Sequence, residues 1–221
     1  VAGIQSLADA LEIVLERDPV KARAIVGRLR GEAARLATLV TELMNLRRVD
    51  ARPSGDDLTS VALDQMVASL TAELAESAAA ASVTMRTKLA SDCAVTAVEQ
   101  DVRLALRNLL DNAIKYNREG GTVSVVARRQ AAEVVIEVHD TGIGIPGKDL
   151  GRVFERFHRV DEGRSRDEGG TGLGLSIVRH AVERSGGQVS VSSLLGSGTT
   201  FKVTLPAAPG GGAGAGDLDG R

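Results

Sequence analysis

The sequence predicts an α+β fold: a mixed or antiparallel sheet with helices on one face, preceded by a helical hairpin. Three observations predict it. First, "TVSVVARR" and "EVVIEVH" alternate apolar and polar residues across the short "QAA" connection, and "QVSVSSLL" and "TTFKVTLP" do so across "GSG". Strands that arrive as hairpins belong to a sheet covered mainly on one side. Second, Val102–Tyr116 and Leu173–Ser185 carry apolar residues at helical spacing and supply that cover. Third, residues 1–50 hold no strand pattern and instead repeat apolar residues at steps of three and four.

Within residues 1–50, Ile4, Leu7, Leu11, Val14 and Leu15 mark a first helix. "RDP" breaks it, and Pro19 suits the first turn of a second, because its missing N–H is an orphan there anyway. Val26, Leu29, Ala33, Leu36, Val40 and Leu43 form an a/d seam on the second helix, widened by Leu39 and Leu46. Two helices alone cannot bury that much apolar face. A hairpin that dimerises into a four-helix bundle solves the problem; a hairpin packed on its own downstream domain is the alternative.

Residues 51–60 read as a linker, with charge, Pro53 and Gly55 but little apolar content. Residues 61–206 then form the main domain. Val61–Ala81 reads as an alanine-rich helix, "SVTMRTKLA" and "AVTAV" as short strands, and "REGG" as the turn after the Val102–Tyr116 helix. Gly186–Gly187 stops the Leu173–Ser185 helix. Residues 207–221 are Gly/Ala-rich and read as a disordered tail.

Composition narrows the function. A length of 221 residues suits one or two domains, and 43% hydrophobic with 25% charged residues is ordinary for a globular chain. A net charge of -2 gives no reason to expect nucleic acid, and 2% aromatic residues without Trp disfavour a base-stacking platform. Cys93 is the one cysteine, so no intramolecular disulfide forms, the chain suits a reducing compartment, and the thiol reads as a small packed residue. No apolar run approaches the roughly 20 residues of a membrane span.

Several blocks carry chemistry. In "RNLLDNAIKYN", Asn108, Asp111, Asn112 and Lys115 share one helical face. Carboxamide oxygens are hard ligands suited to Mg²⁺, Lys115 is a point charge for phosphate, and Tyr116 offers a flat face for a base. "DTGIGIPG" matches G-x-G-x-x-G at Gly142, Gly144 and Gly147. A dinucleotide loop follows a strand buried on both faces, whereas "EVVIEVH" alternates, with Val134, Ile136 and Val138 on one side and Val135, Glu137 and His139 on the other. In "GGTGLGLSIV", Gly170, Gly172 and Gly174 precede a helix, where backbone N–H groups can curl around an anion. No Lys-Ser/Thr follows, so this is not a Walker A loop. "GSGTTF" is a hairpin turn whose threonine hydroxyl can reach a ligand.

These blocks, in this order and spacing, resemble the catalytic domain of two-component sensor histidine kinases, a branch of the ATPase superfamily shared with gyrase, the ninety-kilodalton heat-shock chaperones and the mismatch-repair ATPases. "RNLLDNAIKYN" resembles the N box, "DTGIGIP" the G1 box, "FERFHRV" the F box and "GGTGLGLSIV" the G2 box, with "GSGTTF" a further glycine turn. The resemblance implies a two-layer α/β sandwich with a mixed sheet, behind a hairpin that forms a homodimer. It implies Mg-ATP as the ligand. Asn112 would coordinate Mg²⁺ with Asn108 supporting it, Lys115 would neutralise phosphate charge, and Tyr116 would flank the adenine. Asp140 would accept a hydrogen bond from the adenine amino group, and Thr199 would assist near the base. Gly142 and Gly144 would let the backbone approach the nucleotide. Gly170, Thr171, Gly172, Leu173 and Gly174 would close a lid over the phosphates, Phe154 and Phe157 would pack that lid onto the domain, and Arg156 or Arg159 would contact the γ-phosphate or the opposing helix.

The family's phosphoacceptor histidine lies on the first hairpin helix, in a motif like His-Glu-Leu-Arg-Thr-Pro. The present sequence opens "VAGIQSLADALE", which resembles the stretch immediately after the proline of that motif, and His139, His158 and His180 all lie elsewhere. The expectation is a chain that binds Mg-ATP without an acceptor of its own, from the cytoplasmic part of a longer receptor that reaches the membrane only through upstream sequence. The implied partner is the receiver domain of a response regulator, with no nucleic acid. A dimeric nucleotide-binding regulatory module without catalysis, or another ATPase of the same superfamily, is the alternative.

Overall fold

The computed structural model describes residues 2–14, 18–50, 57–90, 92–160 and 171–209. The hairpin is α1 (Ala2–Val14) and α2 (Pro19–Asp50). Asp18 caps α2 by accepting the Lys21 N–H at 3.1 Å, with Pro19 in the first turn. At 1.5 Å per residue α1 spans only about 20 Å against about 48 Å for α2, so α1 covers just the first part of its partner. Val26 and Leu29 are half-buried, whereas Leu36, Val40, Leu43 and Met44 remain exposed at 37%, 58%, 51% and 67%. On another side of this outer half, Leu39, Glu42 and Asn45 are half-buried, and α2 touches α6. The hairpin thus packs partly on its own domain while part of its seam stays open.

The main domain runs β1 (Thr59–Ala62), α3 (Leu63–Glu73), α4 (Ala75–Ala80), β2 (Thr84–Leu89), β3 (Ala94–Ala97), α5 (Glu99–Lys115), β4 (Thr122–Gln130), β5 (Glu133–Asp140), α6 (Gly174–Arg184), β6 (Gln188–Leu194) and β7 (Gly198–Pro206). Five strands form a sheet in the order β2-β4-β5-β7-β6. The β2/β4 pair is parallel and the others antiparallel, so the sheet is mixed. Val123, Val125 and Ala127 of β4, Val134, Ile136 and Val138 of β5, and Phe201, Val203 and Leu205 of β7 form one apolar face. It joins one core with Leu106, Leu109 and Leu110 of α5 and Ile177, Val178 and Ala181 of α6. Cys93 is buried in this core. The result is the two-layer sandwich expected. Val135 is buried too, at 2%, between its register partners Arg128 and Thr204, because a central strand is shielded on both sides by neighbours.

Three expected boundaries move. Residues 51–56 of the linker lie outside the described residues, but Thr59 and Ser60 belong to β1, which pairs antiparallel with β3 in a separate two-stranded sheet. Val61 is therefore strand rather than helix; one buried valine in four residues leaves no readable alternation. The tail is ordered further than expected: Ala207 N–H bonds Ala132 O and Ala208 N–H bonds Ala94 O, both at 2.8 Å, and Ala208 is buried. Residues 210–221 lie outside the described residues.

An ion pair locks the two covering helices together. Asp101 in the first turn of α5 meets Arg184 at the end of α6, 3.3 Å from Nε, with the aspartate side chain only 1% exposed. Each charge also sits at the helix end whose partial charge favours it.

Candidate functional site

The site is built from α5, the loop after β5, the β6–β7 turn and the start of α6. Asp140 closes β5 and is buried. Its Oδ1 accepts the Gly142 N–H at 2.8 Å and the Thr199 N–H at 3.3 Å, so Oδ2 takes part in neither bond. Burial pushes this carboxyl above the ordinary aspartate range, and the two backbone bonds only partly oppose it. A buried carboxylate held by backbone donors is a fixed acceptor, suited to reading an amino group.

The glycines around Asp140 serve protein contacts. A Cβ on Gly142 would run into the Tyr116 carbonyl and come 2.8 Å from Asp140 Oδ1. One on Gly144 would strike the Leu194 carbonyl, and one on Gly198 the Asp140 carbonyl. At both Gly142 and Gly144 the missing side chain lets strand and loop backbones approach each other closely. Gly144 and Gly198 also take positive φ, +71° and +111°, which L-residues avoid. Thr199 is buried beside Asp140, and its Oγ1 is 3.0 Å from Ser193 Oγ.

Sequence reading missed the residues that brace this end. Arg118 donates to the Gly142 carbonyl at 2.9 Å and the Gly196 carbonyl at 2.7 Å, tying the loop after β5 to the β6–β7 turn. Ser193 accepts the Ile145 N–H and donates to the Gly198 carbonyl, each at 2.8 Å. Arg118 follows Tyr116 by two residues and was within reach of the motif; Ser193 shares the inward parity of Val189 and Val191, and a lone serine at that position carries no motif.

On α5, Asn108 and Asn112 are half-buried and Lys115 is exposed on the expected shared face. Asp111 is tied to Arg107 at 3.7 Å, and burial pushes its carboxyl up. Asn108 Nδ2 donates to the Leu104 carbonyl at 2.9 Å, which turns its Oδ1 toward α6. That oxygen lies 2.9 Å from where a Cβ on Gly174 would stand. Lys115 Nζ sits 5.3 Å from the centroid of the Tyr116 ring, a cation–π contact at the end of the helix.

The glycine loop crosses the F-box segment. Gly172 has a φ of +75°, and its carbonyl accepts the Phe157 N–H at 2.9 Å. A Cβ on Gly172 would stand 2.8 Å from the Phe157 carbonyl carbon. Leu173 is buried, and its N–H bonds Thr171 Oγ1 at 3.2 Å. Gly170 lies outside the described residues. Of the two rings expected to pack this segment, Phe154 meets Phe201 edge-on at 6.2 Å, but Phe157 is 66% exposed. The Phe157 backbone is left-handed, with φ +64°.

The F-box segment lines a cleft of about 360 Å³ that includes Asp149, Arg156, His158 and Arg159. His158 Nε2 is 3.5 Å from Asp149 Oδ1, and Arg156 reaches His180 Nε2 at 3.2 Å. Arg159 Nη2 is buried without a hydrogen-bond partner among the described residues. A guanidinium donor of this kind is chemically suited to an anion.

Among the described residues no cluster of three His, Cys, Asp or Glu side chains could cage a metal. The carboxamides of Asn108 and Asn112 do fit Mg²⁺, which binds through few protein oxygens when substrate phosphates and water fill its remaining positions.

Comparison with known proteins agrees with this geometry. The family described as histidine kinase-, DNA gyrase B- and HSP90-like ATPase matches residues 97–209. Sensor-like histidine kinase SenX3 of Mycobacterium tuberculosis is 38% identical over 207 residues, covering 94% of this chain and 50% of SenX3. The chain thus spans about half the length of that relative. Full-length ShkA, solved in complex with AMPPNP, has a TM-score of 0.70 at 28% identity over 86% of this chain and 40% of its own. ThkA in complex with response regulator TrrA has a TM-score of 0.70 over 94% of this chain and 60% of its own; at 20% identity it supports the fold alone. Among the described residues no helix is long and apolar enough to cross a membrane. With its mixed sheet, its glycine loop against α5 and these relatives, the chain belongs to the histidine kinase-, DNA gyrase B- and HSP90-like ATPase family, as a sensor histidine kinase catalytic domain.

Proposed function

We propose that this chain binds Mg-ATP between α5 and the glycine loop, and that the longer protein uses it to phosphorylate a histidine and pass the phosphoryl group to an aspartate of a response regulator. The observation that carries this reading is the approach of Gly174 to Asn108, which sets the start of α6 against the carboxamide face of α5. Asp140 lies near the C-terminal end of α5, where Gly142 packs on the Tyr116 carbonyl, and supports the reading from that side.

Each residue then has a task. Asp140 accepts from the adenine amino group; guanine presents a carbonyl oxygen there and is repelled. Tyr116 flanks the base, with Thr199 fixing the Asp140 carboxylate from behind through its N–H. Asn112, supported by Asn108, and Lys115 hold the metal and phosphate end. Mg²⁺, when bound with the nucleotide, supplies neutralisation of the phosphate oxygens. Thr171, Gly172, Leu173 and Gly174, continuing from Gly170, offer backbone donors at the start of α6. Arg159 offers its orphaned donor to the γ-phosphate. Positioning and charge stabilisation supply most of the rate in such transfers.

Two features concern the wider protein. The open stripe of Leu36, Val40, Leu43 and Met44 on α2 supports dimerisation through the hairpin. The three histidines sit on β5, in the F-box segment and on α6, so we expect no phosphoacceptor in these 221 residues. The relation to sensor kinases supports a cytoplasmic placement and a membrane attachment through other sequence.

The test uses the purified chain and γ-labelled ATP. The expected result is saturable Mg-ATP binding with no acid-labile label on the protein. Stable, acid-labile label on this chain overturns the absence of an acceptor, and no nucleotide binding overturns the pocket.

A further inference from the structure

Glu42 projects from the hairpin onto the phosphate end of the site. Thr171 Oγ1 donates a hydrogen bond to Glu42 Oε2 while accepting the Leu173 N–H at 3.2 Å. Lys115 attracts the same carboxylate from the end of α5. The contact spans 129 positions in sequence and links the outer half of α2 to the loop that starts α6. Glu42 is half-buried there, and burial outweighs Thr171 and Lys115 in pushing its carboxyl above the ordinary range.

A hairpin carboxylate therefore engages two of the groups assigned above to nucleotide phosphates. Carboxylate and phosphate make the same demands: negative charge and acceptor oxygens facing a hydroxyl and an ammonium. They cannot share the position comfortably. Two like charges in contact at a protein surface repel, so a phosphate set beside the Glu42 carboxylate is disfavoured. We infer that Glu42 is an internal competitor for the phosphate end of the ATP pocket: α2 docked through Glu42–Thr171, and a glycine loop closed on nucleotide phosphates, exclude each other. Resting on the Mg-ATP reading, this makes the hairpin a negative regulator of nucleotide binding. A movement of α2 that withdraws Glu42 opens the pocket, and nucleotide binding in turn releases α2 from α6, because such coupling is reciprocal.

The alternatives give different outcomes. A simple surface contact leaves nucleotide affinity untouched, and a carboxylate that helps hold Mg-ATP strengthens it. The test compares the full chain with Glu42→Gln and Glu42→Ala. Helix content is checked by circular dichroism, Mg-ATP binding by titration calorimetry and adenosine binding by ligand-observed NMR. If the docked state holds about 90% of molecules, its loss raises apparent affinity about tenfold. The expected result is Mg-ATP binding tighter by about 3- to 10-fold in both folded variants, with adenosine affinity unchanged. Equal or weaker Mg-ATP binding, or an equal gain for adenosine, overturns the competition while leaving the ATP pocket standing. Failure of the unsubstituted chain and both variants to bind Mg-ATP overturns the pocket itself, and the competition with it.

Discussion

Asp140 Oδ1 accepts the Gly142 N–H at 2.8 Å, so the carboxylate is held by its own loop rather than by a cation. Two substitutions separate its roles. Asp140→Ala removes the acceptor for two backbone donors and should lower both stability, by about 1–3 kcal/mol, and ATP affinity. Asp140→Asn keeps an oxygen for Gly142 and Thr199 but sets an amide against the adenine amino group. It should fold normally yet bind ATP about 10- to 100-fold more weakly. Calorimetric titration beside thermal melting checks both.

The pH dependence of the same residue comes from its burial. Its folded carboxyl titrates above the ordinary value, so its contribution to stability is fully present below the unfolded value and is lost as pH rises through the folded one. At neutral pH the buried charge is a net cost, and Asp140→Asn should not lower the melting temperature there. ATP affinity runs the other way. It should fall as pH drops through the raised value, at a higher pH than an ordinary aspartate would give, and that step should vanish in Asp140→Asn. Binding titrations across the acidic range measure it.

Asp101 and Arg184 should be the most sensitive polar pair in the fold. Breaking it with Asp101→Asn leaves Arg184 with the more distant Asp57 carboxylate at 3.9 Å, and should destabilise by about 1–3 kcal/mol. Replacing both, as Asp101→Leu with Arg184→Met, should cost less than the single change, since buried ion pairs offer little over well-packed apolar residues. Urea unfolding of the three chains decides it.

Gly198 has no room for a side chain. Gly198→Ala places a methyl against the Asp140 carbonyl at a φ of +111°, and should destabilise by at least about 1–3 kcal/mol. Because the pressed atom belongs to Asp140, ATP affinity should fall as well, whereas Gly147→Ala, with open space around it, should affect neither. Paired melting and binding measurements test the contrast.

The open stripe of α2 yields a test of assembly. Val40→Lys with Leu43→Lys places charge on the exposed part of the seam and should weaken a hairpin dimer more than about tenfold. Sedimentation velocity over a concentration series reads the result.

Much of this fold was legible because periodicity survives in the sequence. The alternation of β4 and β5 and the helical spacing of α5 and α6 mark elements whose two faces differ, and those elements form as expected. Where faces do not differ, reading stopped. β1 carries one buried residue, and Ala207 and Ala208 look like the start of a tail until their N–H groups find Ala132 and Ala94. Phe157 carries no sequence signal for a left-handed backbone, so its exposed ring could not be told from a packed one.

The sequence alone determined the order of the glycine blocks, the carboxamide face of α5 and the aspartate at the end of β5, because these are fixed by local spacing along helix and strand. Only the tertiary structure decided what those residues meet: that Gly142, Gly144 and Gly198 yield space to neighbouring backbone, that Arg118 and Ser193 tie the loop after β5 to the β6–β7 turn, and that Glu42 reaches Thr171. Such contacts join residues far apart in the chain, and their partners are chosen by how sheet, helices and hairpin close on one another, which no local pattern encodes.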